Sequence, residues 1–162
     1  MPELAIQPTP NTLAAHAAAQ PVFPTNDRLD ELCRAIDQLP PAEQELHHTF
    51  TPGLYTRKAK AAAGSIIVSK IHKTIHPFVL LEGKCRVRDD AGDWHTLPAP
   101  HFGVTQPGTQ RVILVEEAIT WLTFHATEET DIEKIEALVI QPHDPGLPSG
   151  DGRAVAALQG AH

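Results

Sequence analysis

The chain has 162 residues and a formal net charge of -7 at neutral pH with histidine counted as neutral. This length suits one domain with extensions, and such a domain can bury a core without disulfides. The negative charge disfavours binding to nucleic acid or anionic lipid, so we expect neither nucleic-acid nor membrane partners. The two cysteines, Cys33 and Cys85, form no CxxC pair, which argues against a disulfide framework and against a zinc ribbon.

Residues 1–24 form the first zone, an extended arm rich in alanine and proline. The arm has no basic segment ahead of its alanine run, and prolines break up its apolar stretches. We therefore expect no signal peptide and no membrane span, and we expect a soluble protein. Because this composition buries too little apolar surface to order itself, the arm is predicted to be flexible until it meets a partner.

Residues 25–48 form a second zone that is predicted to be helical. Asn26 is a suitable N-cap, and Pro40 and Pro41 end the run. Apolar residues recur at helical spacing between these limits: Leu29, Leu32, Cys33, Ile36 and Leu39. The pattern predicts a short helix that packs one face against the rest of the domain.

Residues 49–140 form the third zone, which has the rhythm of an all-β sandwich or barrel. Short apolar segments alternate with the turn signals Pro52-Gly53, Ala63-Gly64, Glu82-Gly83, Ala91-Gly92 and Pro107-Gly108. No helical pattern separates the predicted strands, which disfavours a parallel α/β sheet. We expect much of the core to come from Ile66, Val68, Val79, Leu81, Val87, Val112, Leu114, Trp121 and Leu122.

The end of this zone carries a capping-box sequence. Thr130 and Glu133 stand at the spacing in which each side chain satisfies a backbone amide of the other, so a short helix is predicted to start at Asp131 and to close the barrel. Residues 141–162 follow as a tail rich in proline and glycine, which is predicted to be flexible.

Two histidines, His72 and His76, stand at a strand-turn-strand corner just ahead of an apolar run. Imidazole is a common metal ligand at neutral pH, so the pair is a candidate for metal binding from inside the barrel mouth. The alternative is that both are polar residues that cap strand ends. His125 follows Trp121 by strand alternation and completes a three-histidine set if Trp121 faces the core. Its alternative is an ordinary buried histidine.

Three further residues are weaker candidates. His101 lies at a loop-to-strand junction and is a fourth candidate ligand. Arg111 is suited to bind a carboxylate or phosphate, or else to pair internally with Glu82, Glu116 or Glu117. Tyr55, the only tyrosine, either donates a hydrogen bond into the same pocket or serves packing.

The segments SKIHKTIHPFVLLEGKCRV and LPAPHFGVTQPGTQRVI resemble the two motifs of the cupin double-stranded β-helix. The resemblance implies a jelly-roll barrel that holds a divalent transition metal such as Zn, Fe, Mn or Ni. Alignment on Gly83 places His72 at the second histidine of the family's pair, Lys70 at the first and His76 at its glutamate. Arg111 stands where the fourth ligand belongs, and an arginine cannot give up its proton to bind a metal. The family's standard four-ligand site is therefore incomplete here.

The segments HTFTPGLYTR and TWLTFHATEETDIEKIEALVI, together with those motifs, also resemble a family of small cupin-like proteins of tailed bacteriophages and prophages. This resemblance covers about residues 49–140. It implies synthesis in the cytoplasm of a bacterial host, and it implies no reaction.

Three functions are compatible with these features. The favoured hypothesis is a virion structural or assembly component, a homo-oligomer whose arms order against neighbouring virion proteins. The second is a metal-dependent cupin enzyme or small-ligand-binding protein that uses His72, His76 and His125. The third is a regulatory cupin. No nucleophile signature, phosphate loop or paired acid motif points to another enzyme class, which favours a non-enzymatic role.

Overall fold

A computed structural model describes residues 27–89, 91–142 and 154–156 of the chain. The predicted arm at residues 1–24, the predicted cap Asn26 and most of the predicted tail lie outside these ranges. The described part contains two helices and eight strands: α1 Asp27–Asp37, β1 Gln44–Thr51, β2 Leu54–Ala61, β3 Ser65–Val68, β4 His76–Arg88, β5 Trp94–Pro98, β6 His101–Thr105, β7 Val112–Ala126, α2 Ile132–Val139 and β8 Ala154–Ala156.

The two long strands β4 and β7 form the middle of an antiparallel sheet. β4 pairs with β7 along its length, with β6 through its first half and with β5 through its second half. β7 pairs on its other side with β3 through its first half and with β2 through its second half. The pairing defines two five-stranded layers, β1-β2-β7-β4-β6 and β8-β3-β7-β4-β5. We name them the β1/β6 layer and the β5/β8 layer.

The two layers face each other across one core. Ala61 and Leu80 from the β1/β6 layer belong to the same buried cluster as Val87, Ile113 and Ala154 from the β5/β8 layer. A sheet whose strands continue from one layer into the other and whose inner faces share a core is a jelly roll. The predicted all-β jelly-roll architecture is confirmed.

A bulge in β4 marks the bend between the layers. Phe78 and Leu80 are buried before it, whereas Cys85 and Val87 are buried after it, so the inward side switches from even to odd positions. The pairing with β7 shifts register three times between Leu80 and Cys85. An added residue in one strand produces this change of side together with a sharper local twist.

The bulge explains the errors in the predicted core at Val79 and Leu81 of β4. Val68, Val87 and Val112 are buried as predicted, but Leu81 points outward and is 51% exposed. The remaining members of the predicted set are half-buried: Ile66, Val79, Leu114, Trp121 and Leu122. Strict alternation along the whole of β4 assigns the wrong residues to the core ahead of the bulge, because it takes no account of the extra residue.

Helix α1 covers the outside of the β5/β8 layer. Leu29, Cys33 and Ile36 are buried against Val112 and Val155, and the other two residues of the predicted apolar stripe, Leu32 and Leu39, pack on the same cluster. The predicted helix is confirmed, although it ends at Asp37. The sheet begins at Gln44, inside the zone predicted to be helical.

Two differences from the prediction concern the C-terminal part. Asp131, rather than Thr130, caps α2, because its carboxylate accepts hydrogen bonds from the amides of Glu133 and Lys134. Residues 154–156, inside the predicted flexible tail, form strand β8 along the edge of β3. No helix in the described part of the chain is long and apolar enough to cross a membrane.

Candidate metal centre and adjoining cavity

The three predicted histidines come together at one end of the barrel. His76 is the first residue of β4 and His125 is the last but one of β7. The antiparallel register that pairs Phe78 with Thr123 places them at the same level on adjacent strands. Both residues share the inward side with Phe78, because side chains alternate along a strand. They lie in the β1/β6 layer.

His72 approaches from the loop between β3 and β4, and contacts from two directions fix its backbone. It forms an antiparallel bridge with Ile140, just after α2, and its carbonyl accepts a hydrogen bond of 2.8 Å from the amide of Gly108. The next residue, Lys73, donates its amide to the carbonyl of Val139 at 2.8 Å. The loop is thus held between the C-terminal end of α2 and the turn before β7.

The imidazole rings are close enough to share a ligand. The ring centroids are 4.3 Å apart for His72 and His76, 4.4 Å for His76 and His125, and 6.0 Å for His72 and His125. Rings bound to one ion through bonds of about 2.1 Å, at angles of about 90–120°, have their centroids about 4.5–5.5 Å apart. The observed separations lie on both sides of that range, so the backbone brings the rings to about the right distance from one another.

All three rings are neutral at physiological pH. Burial, together with the nearby His76, His125, Arg111 and Arg57, lowers the pKa of His72 to about 2. Burial likewise lowers the pKa of His125 to about 3 and that of His76 to about 4. A neutral imidazole carries a lone pair that a metal ion can use.

Within the described part of the chain, two buried ring nitrogens have no hydrogen-bond partner, Nδ1 of His72 and Nδ1 of His125. A buried polar atom left without a partner costs about 1–3 kcal/mol. Nδ1 of His76 lies 3.2 Å from the carbonyl of Thr74, which can only accept, so Nδ1 carries the proton and Nε2 keeps its lone pair. A backbone carbonyl that fixes the tautomer in this way is common behind metal-bound histidines. The donor set therefore fits a transition metal.

The nitrogens are not arranged for coordination as they stand. Among the described residues, no group of three histidine, cysteine or carboxylate side chains is positioned to hold an ion. Coordination would require the rings to turn about their Cβ–Cγ bonds, which are broad torsions with small barriers. Such a turn changes the direction of the nitrogens and leaves the backbone in place.

A cavity of about 110 Å³ opens beside His72 and His76. Its polar wall is formed by His72, His76, Arg57, Arg111, Thr105, Thr123 and Ser69, and its apolar wall by Ile67, Ile113, Ile119, Ala59, Ala61 and Trp121. Lys70 and Glu136 also line it and are joined by an ion pair of 2.9 Å, in which the glutamate side chain is half exposed. His125 lies behind this cavity, with its ring stacked on that of Tyr55.

Two arginines dominate the electrostatics of the polar wall. Arg111 donates from Nη1 to the hydroxyl of Thr105 at 2.9 Å, and its guanidinium lies 5.2 Å from the centre of the Phe78 ring. Arg57 reaches the cavity from β2, directly opposite Thr123 of β7. Sequence reasoning missed Arg57. Arg57 is two residues from Tyr55 and so lies on the same side of β2, which was the available signal that it faces the barrel interior.

The other sequence candidates lie elsewhere. His101 lies in β6, where it pairs with Leu80 of β4 and is outside the cluster of three histidines. Its ring centroid is 6.1 Å from that of Phe78. The hydroxyl of Tyr55 lies 2.7 Å from Nδ1 of His48, and the ring packs under α2 on Ile135 and Val139. Tyr55 is not among the residues that line the cavity, so its packing role is the one observed.

The predicted internal partners of Arg111 make other contacts. Glu116 pairs with Lys84 and Arg86, and Glu82 accepts a hydrogen bond of 2.6 Å from Thr120.

Comparisons with known proteins give matches among solved structures. No family model matches the chain, and no curated protein matches it. A cupin-2 domain protein of Shewanella frigidimarina is 13% identical, with a TM-score of 0.43 over 51% of this chain and 80% of that one. A cupin-2 domain of Rhodospirillum rubrum is 12% identical, with a TM-score of 0.45 over 57% and 65%. The cupin domain of Schizosaccharomyces pombe Cnp3 is 20% identical, with a TM-score of 0.42 over 62% and 74%.

Proposed function

We propose that this chain is a metal-dependent cupin, in which His72, His76 and His125 hold one divalent transition metal ion at the end of the barrel. The observation that carries the proposal is the meeting of three buried, neutral imidazoles, two of which have a ring nitrogen without a partner among the residues that the structure describes. Imidazole sets suit Zn, Fe and Ni, and Mn is also compatible with a cupin site.

The polar cavity beside the histidines supports a role in binding a small molecule. Three protein ligands leave coordination positions for an exogenous group, which is the arrangement of catalytic rather than structural metal sites. When bound, the metal would supply Lewis-acid chemistry to an oxygen of that group. The protein's own contribution is to orient the ligand through Arg57 and Arg111 and to exclude water with the apolar wall.

Metal content is the direct test of the proposal. The purified wild-type protein, loaded with Zn²⁺ and desalted, should retain about one equivalent by inductively coupled plasma mass spectrometry, with bonds to nitrogen of about 2.0–2.2 Å. Substituting His72→Ala, His76→Ala or His125→Ala should abolish stoichiometric metal. His101→Ala is the matched control, since it removes a half-buried histidine outside the cluster. Equal metal content in all four variants would overturn the proposal.

A second candidate function, a virion assembly subunit, is favoured by one surface. The outer side of β4 and β6 exposes Leu81, Phe102 and Val104, and Phe102 is 66% exposed. Apolar side chains grouped at the edge of a sheet commonly mark a contact with another chain. We propose that a second copy of this chain binds this surface.

Two measurements test this second candidate. Mass spectrometry of purified phage particles shows whether the protein is a virion component, and the molecular mass of the purified protein in solution gives its oligomeric state. A stoichiometric virion protein that forms oligomers should become monomeric with Phe102→Asp, while Lys60→Asp, at an exposed position of β2, serves as the control. A wild-type protein that is monomeric and absent from particles would contradict the assembly role.

A further inference from the structure

The cavity has a polar part and an apolar part, and metal binding alone does not explain this arrangement. The register places Arg57 and Arg111 at the level of the histidine end of the barrel, whereas Ile67, Ile113 and Ile119 lie farther along β3 and β7. A site that served only the metal would have no use for two guanidinium groups. The two walls together fit a ligand with an anionic end and an apolar body.

The charges that line the cavity are positive overall in an acidic protein. Among the described residues that line the cavity, Arg57, Arg111 and Lys70 face one carboxylate, Glu136, whereas the whole chain has a net charge of -7. Lys70 and Glu136 are paired with each other, which leaves the two arginines as the other cationic groups of this described lining. A positive cavity in a negative molecule selects anions locally, because interactions at a partly buried site are less screened than those at the surface.

The guanidinium groups of the two arginines make different contacts. Thr105 and the ring of Phe78 position the guanidinium of Arg111, and a fixed, planar guanidinium suits a two-point contact with a carboxylate. For Arg57, no hydrogen bond or ion pair of its guanidinium is seen within the described part of the chain. Both side chains act on the same histidines, since both positive charges lower the pKa of His72.

We propose that the cavity binds a small monocarboxylic acid with a short apolar body, with its carboxylate on Arg57 and Arg111 and its body against the three isoleucines. An apolar cavity of about 150 Å³ holds benzene, so a cavity of about 110 Å³ takes a ligand of about six non-hydrogen atoms or fewer. A fully hydrated anion such as phosphate would leave the apolar wall without a partner. This inference names the ligand class of the proposed function's cavity, but the arginine contacts do not require the metal.

Isobutyrate and isobutyramide provide a matched pair of probes. They have the same shape, and only isobutyrate carries the charge. Titration calorimetry on the full-length protein at pH 7 should show isobutyrate binding at least about tenfold more tightly than isobutyramide, since hydrogen bonds to charged groups exceed neutral ones by about that factor. Equal binding of the two probes would overturn the inference. Binding of inorganic phosphate without binding of isobutyrate would overturn it as well.

Two variants locate the binding site. Arg57→Gln and Arg111→Gln should each weaken isobutyrate binding about 10- to 100-fold. Arg86→Gln is the control, because Arg86 lies on the outside of β4 in an ion pair with Glu116. If Arg111→Gln fails to fold, Arg57→Gln decides. Unchanged affinity in folded Arg57→Gln would overturn the assignment.

The same titrations separate this inference from the metal proposal. They are run on protein treated with EDTA and on protein loaded with Zn²⁺. If the protein holds no metal but isobutyrate still binds through the arginines, the metal proposal fails and the inference stands. If metal is bound and isobutyrate is not, only the inference fails.

Discussion

At the scale of single residues, burial sets the chemistry of this protein more than any other influence. The three clustered histidines are held neutral, and burial raises the pKa of Cys85 to about 11. A thiolate, rather than a thiol, is the reactive form of cysteine. Cys33 is also buried, on the face of α1 that packs against the β5/β8 layer.

Both thiols should therefore be inert in the native protein. We expect less than about one-tenth of either cysteine to react with dithionitrobenzoate at pH 8, and both to react in guanidinium chloride, because burial keeps the reagent from both thiols and the raised pKa of Cys85 also leaves it little thiolate. The absorbance of the released thionitrobenzoate measures the reaction. Rapid labelling of the folded protein would show that the barrel opens locally, contrary to this expectation.

At the scale of elements, the bulge in β4 decides which side chains reach the core. Gly83 lies at its centre with a φ of 82°. A Cβ at this position would overlap with the carbonyl oxygen of Ala118 on β7. Gly64 has a nearly equal φ of 80°, but a Cβ there would meet no atom within 4 Å. The two glycines therefore separate the cost of backbone conformation from the cost of a clash.

Gly64→Ala should cost about 1–2 kcal/mol of unfolding free energy, the penalty of a left-handed conformation for a residue with a Cβ. Gly83→Ala should cost clearly more, about 3 kcal/mol or above, because strand β7 must also move. Urea denaturation followed by circular dichroism measures both. Similar losses for the two variants would mean that the strands separate easily at the bulge.

At the scale of the whole molecule, the histidine cluster couples stability to pH. The unfolded chain binds protons at these histidines below their ordinary pKa of 6.5, whereas in the folded state His76 binds one only near pH 4 and the other two at still lower pH. The unfolded state therefore holds more protons between these limits, and stability falls as the pH is lowered.

The metal-free protein should lose unfolding free energy as the pH drops from 6.5 towards 4, by up to about 1.4 kcal/mol per pH unit for each histidine. Chemical denaturation at a series of pH values gives this slope. His76→Gln removes one titrating group, so its profile should be flatter over the same interval. Coincident wild-type and variant slopes would contradict the role assigned to burial.

The sequence specified several local features in advance. Each of the five glycines in the predicted turn signals has a positive φ, a backbone that other residues rarely adopt, although Gly83 lies in a bulge within β4 and the turn predicted there was wrong. The apolar stripe of α1 packs as predicted, since a helical period is a local property. His72, His76 and His125 come together at one end of the barrel, although their nitrogens are not arranged for coordination, so the metal site stays a prediction. The metal itself, the arm and the virion role stay predictions.

Other features were decided only by the tertiary structure. The side of β4 that faces the core depends on a bulge, and the register of this bulge is set by pairing with β7, some thirty residues later in the chain. Gly83, a glycine inside an apolar run, was the local signal for the bulge. Arg57 joins the cavity because β2 pairs with β7, and β8 exists because β3 offers an edge. Pairing between distant segments leaves little trace in local periodicity. Residue chemistry and turns were therefore readable from the sequence, whereas the cavity depends on how the strands assemble.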